Sequence, residues 1–90
     1  MSRTSRAIDY GTGQKTGITT DAVQLGESFP CNEVLVQAEH DNTDLIRVGP
    51  AGGQFIVLDA KESIILPIND VANVYVKAES GTQKANWIAR

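Results

Sequence analysis

The chain has little of what site chemistry usually needs. It holds one cysteine, Cys31, and one histidine, His40. That excludes a disulfide within the chain, and the Cys and His spacings of a zinc site are missing. A lone cysteine reads as a small buried hydrophobe in a reducing compartment, with a reactive thiol as the sharper alternative. No apolar run reaches the roughly 20 residues of a membrane span, so no membrane partner is expected. Residues Met1 to Arg6 lack the apolar centre of a secretory leader. Helical periodicity and helix start and stop signals are absent as well. Basic residues are few: 8 Lys and Arg stand against 11 Asp and Glu, a net charge of -3. Phosphate binding needs clustered Lys and Arg, so nucleic acid is not the expected partner.

What the chain does have is period-two alternation between turn formers. Glu33 to Glu39 places Val34, Val36 and Ala38 on one face and Leu35 and Gln37 on the other. Thr43 to Val48, Gln54 to Leu58, Ser63 to Leu66, Val74 to Ala78 and the segment around Trp87 read the same way, and Ile18 to Val23 is a shorter strand. His40-Asp41-Asn42 and Ser80-Gly81 are short polar turns, which predict that the strands on either side pair as hairpins. In the second of these, Tyr75 and Trp87 would face each other. The pattern predicts an all-β domain of about seven to eight short antiparallel strands, in a two-layer sandwich or flattened barrel. The expected core is Val34, Val36, Ile46, Val48, Val57, Ile64, Leu66, Val74 and Val76.

A unit is repeated. Val34-Leu-Val-Gln-Ala-Glu39 matches Val74-Tyr-Val-Lys-Ala-Glu79 at an offset of 40. Phe29-Pro30-Cys31-Asn32 echoes Leu66-Pro67-Ile68-Asn69, and Leu25-Gly-Glu-Ser28 echoes Ala60-Lys-Glu-Ser63. The expectation is an internal duplication over about 25–49 and 60–90, two hairpin-containing halves that bury their apolar faces against each other.

Residues 1–17 read as an extended arm ahead of a single domain at 18–90. The arm carries Arg3, Arg6 and Lys15 against Asp9, with only Ile8 and Tyr10 as apolar anchors. It is either a frayed terminus or a segment that orders on a partner, with Arg3, Arg6, Ile8 and Tyr10 making the contact. The glycine-rich stretch Gly11–Gly17 is not a phosphate loop, because the G-x-x-x-x-G-K-[ST] spacing fails and no helix follows.

Each constellation with chemical potential has a plainer reading. Glu39, His40, Asp41 and Asp44 cluster at one turn, yet the oxygen spacing of a calcium loop is missing, and Asp and Asn are ordinary turn formers. Asp59 with Glu62 could serve as paired carboxylates, and Cys31 with His40 as nucleophile and base, but nothing marks a pocket around either. No catalytic residue, metal or cofactor is therefore expected. Trp87, on a face shared with Ala85 and Ala89, is either core or a surface anchor at a subunit contact.

Gly49-x-x-Gly-Gly, Glu62-Ser-Ile-x-Leu-Pro-Ile68, Val74-Tyr-Val-Lys-Ala78 and Trp87-Ile-Ala89 together resemble the small all-β structural proteins of tailed bacteriophages. These include capsid decoration (cement) proteins and fibre or tail accessory domains. The resemblance implies a non-enzymatic virion protein, often a homotrimer, whose partners are itself and the major capsid protein or another virion protein. A carbohydrate- or receptor-binding tail module, using Trp87, Tyr75 and loop carboxylates, is the alternative it leaves open.

Overall fold

The computed structural model describes residues 10–90. Eight strands run in chain order: β1 (Gly11–Ile18), β2 (Val23–Gln24), β3 (Val34–Ala38), β4 (Ile46–Gly49), β5 (Ile56–Leu58), β6 (Ser63–Leu66), β7 (Tyr75–Ala78) and β8 (Gln83–Ala89). One 3-10 turn, Val71–Asn73, precedes β7. The strands form two four-stranded sheets, ordered β1-β8-β3-β6 and β2-β7-β4-β5. Every pairing is antiparallel. The all-β sandwich expected from alternation is the fold observed, and its strand order is that of an eight-stranded jelly roll.

Alternation places the core between the layers. Val34, Val36 and Ala38 from β3 meet Ile46, Val48, Val76 and Ala78 from the facing sheet, all almost fully buried. Of the expected core, Ile64 and Leu66 are only partly buried, and Val57 is 40% exposed because it faces outward on an edge strand. The core also takes in Ile18, Leu25, Leu58 and Val71 from strand ends and loops.

Three expectations need correction. First, residues 11–17 are not a free arm. They form most of β1, which pairs with β8 from Gly11↔Ala89 to Lys15↔Ala85. Glycine suits this strand because two aromatic rings lie against it. A Cβ on Gly11 would stand 2.8 Å from Phe29 Cζ, and one on Gly13 would stand 2.8 Å from Trp87 Cζ2. The register shifts between Lys15 and Ile18, where Gly17 takes φ 66°, a β-bulge that lets Ile18 reach the core.

Second, the turns after β3 and β7 do not close hairpins. β3 pairs with β6 and β8, whereas β4 pairs with β5 and β7. The chain therefore crosses between sheets at both turns, and among the described residues only the β4–β5 connection is a hairpin within one sheet. Tyr75 and Trp87 accordingly lie in different sheets.

Third, no half of the molecule contains a hairpin. Every ladder joins a strand from β1–β4 to one from β5–β8. Exchanging each strand for the one four places along converts the order β1-β8-β3-β6 into β5-β4-β7-β2, which is the second sheet. The isolated bridge Pro30↔Asp70 lies where such an axis would pass. Its two bonds are each other's counterparts at offset 40: Cys31 N–H donates to Asn69 O (2.9 Å), and Val71 N–H donates to Phe29 O (3.2 Å). Asn69-Asp70-Val71 thus stands opposite Phe29-Pro30-Cys31, so Pro67 is not the structural counterpart of Pro30.

Candidate partner-binding face

The outer face of the β1-β8-β3-β6 sheet is divided into two cross-strand rows. Register places Thr12, Ile88, Leu35 and Ile65 side by side. The neighbouring row is Gln14, Asn86, Gln37 and Ser63. The second row behaves as a solvated sheet face should. Gln14 Nε2 donates to Asn86 Oδ1 (2.8 Å), and Asn86 Nδ2 donates to Glu39 Oε1 (2.7 Å). The first row does not. Ile65 is 54% and Ile88 45% exposed, with Leu35 half-buried between them.

This apolar row ends at a fixed charged rim. Arg90 Nε donates to Glu33 Oε2 (2.5 Å). The backbones of the two residues also exchange bonds, Arg90 N–H to Glu33 O (3.0 Å) and Glu33 N–H to Arg90 O (2.9 Å). Glu33, Leu35, Ile65, Ile88 and Arg90 line a depression of about 170 Å³. Chemically the face offers an apolar floor with one cation and one anion at its border, an arrangement suited to another protein surface.

The residues singled out from sequence are dispersed. Arg3, Arg6 and Ile8 lie outside the described residues. Tyr10 is 55% exposed just ahead of β1. Glu39 accepts from His40 Nδ1 (2.7 Å). The Asn86 amide and then His40 hold the Glu39 carboxyl below its ordinary value. Asp44 instead accepts from Ser80 Oγ (2.5 Å) and Leu45 N–H (2.7 Å), which hold its carboxyl low. Asp59 and Glu62 cap their own turn: Glu62 Oε1 accepts from Asp59 N–H (2.7 Å). Cys31 Sγ donates to Ile68 O (3.3 Å), and burial, then the charge of Asp70, pushes its thiol up. Among the described residues no three His, Cys, Asp or Glu side chains gather as a metal set.

Trp87 is half-buried. Its ring lies over Gly13 and stands 6.4 Å from the Phe29 ring, tilted by 49°. Tyr75 instead borders an open groove of about 500 Å³, lined also by Lys15, Ala22, Val23, Gln24, Gly26 and Glu27. The apolar row escaped sequence reasoning, although one signal was present: Leu35, Ile65 and Ile88 occupy the solvent-facing phase of their strands. Their adjacency depends on pairings between segments distant in the chain. No family model, curated protein or solved structure matches this chain.

Proposed function

We propose that this protein is a non-enzymatic structural component of a tailed-bacteriophage virion, a decoration protein that docks on the major capsid protein and stabilises the head shell. The observation carrying this reading is the apolar row Ile88–Leu35–Ile65 with its Glu33–Arg90 rim. Burying such a row contributes about 25 cal/mol per Å² of apolar surface removed from water. The rim pair adds orientation more than affinity. The jelly-roll strand order supports the class by analogy, since viral capsid domains use it.

The test is saturation binding to purified empty shells of the phage concerned. Wild type is expected to saturate at a fixed number of copies per shell and to raise the shell's disruption temperature. Ile65→Asp with Ile88→Asp is expected to weaken binding by more than about tenfold. Wild-type protein that fails to bind shells would overturn the reading. The groove beside Tyr75 supports a second reading, a tail or fibre module that binds carbohydrate. Lys15, Gln24 and Glu27 supply hydrogen-bonding groups beside an aromatic ring there. Glycan binding abolished by Tyr75→Ala, without shell binding, would favour it.

A further inference from the structure

We infer that the free edge of β5 is a two-fold contact between copies of this chain. Among the described residues β5 ends its sheet and pairs on one side only, with β4. It carries Ile56, 41% exposed, and Val57, 40%, and Phe55, 80% exposed, stands just ahead of it. Unpaired N–H and C=O groups flanked by exposed apolar side chains make a template for another strand.

The other free edges are protected. β1 carries Lys15 and three glycines, and β2 is two residues long. β6 is preceded by Lys61-Glu62 and followed by Pro67. β5 is short as well, at three residues, and Asp59 follows it, but no charged residue occurs from Gly49 to Leu58, so the strand and the segment leading into it carry no charge of their own. Its flank is also held firmly. Gln54, 6% exposed, donates through Nε2 to Pro50 O (2.6 Å) and closes the preceding loop. The Phe55 ring lies over Gly53, where a Cβ would meet it at 2.3 Å.

Charge selects a second copy as the occupant. Across a two-fold axis each residue meets one from the same segment, so a charge in the paired span would face its own kind or an apolar side chain. A span without charge avoids both penalties, while the rest of the acidic chain repels its copies. Antiparallel pairing centred on Ile56 sets Phe55 of one copy opposite Val57 of the other, an aromatic with β-branched pair on both sides of the axis. The first charge, Asp59, then falls opposite Gly53. A Phe side chain brings roughly 150–250 Å² to a contact, against about 800 Å² per partner in a standard interface, which suits a reversible dimer. The contact uses none of the Ile88, Leu35 and Ile65 row, which belongs to the other sheet. A homotrimer would need a different surface.

Sedimentation velocity of the free full-length chain over a concentration series tests this without any shell. Wild type is expected to move from one-copy to two-copy mass as concentration rises. Phe55→Ser and Val57→Lys are each expected to weaken dimerisation by about tenfold or more, with unchanged circular dichroism. Ile65→Ser is expected to dimerise as wild type does. One-copy mass throughout, a three-copy mass, or dimerisation untouched by both edge variants would overturn the inference. Edge variants that dimerise normally but lose shell binding would overturn it too, assigning the edge to the shell.

Discussion

At the scale of single residues, two polar side chains that make three hydrogen bonds each join separate segments. Gln83 is 1% exposed. Its Nε2 donates to Ser80 O (2.9 Å) and Thr43 Oγ1 (3.2 Å), and its Oε1 accepts from Thr43 N–H (2.9 Å). Gln83→Leu keeps the bulk but leaves these groups without their partner. It should cost about 1–3 kcal/mol in denaturant-unfolding experiments. Asp70 ties the segment before β7 to the segment before β3. Its carboxylate accepts from Ser28 Oγ (2.7 Å), Ala72 N–H (2.9 Å) and Phe29 N–H (2.9 Å), and these bonds lower its pKa. The unfolded chain therefore takes up this proton first, at about pH 3.9. The stabilisation is complete well above that value and disappears as pH falls through the lower folded value. Asp70→Asn should lower the thermal midpoint at pH 7, and the difference from wild type should shrink steadily in acid. A gap independent of pH would refute the charge-based account.

At the scale of elements, β1 decides how much of the N-terminal segment belongs to the domain. It supplies the edge ladder beside β8 and the glycines against which Trp87 and Phe29 lie. Deleting residues 1–9 leaves every described strand whole and serves as the reference. Deleting residues 1–17 exposes the edge of β8 and uncovers the Trp87 ring, so it should lower the midpoint by several degrees and shift tryptophan fluorescence to the red. Equal midpoints for the two truncations would show that β1 adds nothing to the fold.

At the scale of the whole molecule, the halves are interleaved, so neither has a ladder of its own. Fragments 1–52 and 53–90 should each lack strand structure by circular dichroism, because an isolated strand without a partner is not stable in water. Mixed in equal amounts, they should regain the sandwich spectrum. A fragment that folds alone would contradict the interleaving. The same topology places nearly every pairing between distant segments. Refolding of the intact chain should then fall in the millisecond-to-second range of β-sandwiches.

Alternation by itself determined the strand class, the two-layer packing and the inward faces of β3, β4 and β7, because period two is a local property of each strand. The matching segments Val34–Glu39 and Val74–Glu79, 40 residues apart, fell on β3 and β7, at third place in the first and second four strands. Which strands pair was not legible. A short polar turn serves a hairpin or a crossing between sheets equally well, since both leave Val36 and Val48 pointing into one core. The choice was made by β6 and β8 occupying both sides of β3, a matter of long-range packing. β1 was illegible for a related reason. Gly11 and Gly13 look like loop residues until the rings of Phe29 and Trp87, remote in sequence, lie against them. The apolar row of Ile88, Leu35 and Ile65 likewise exists only because three separate strands are neighbours in one sheet.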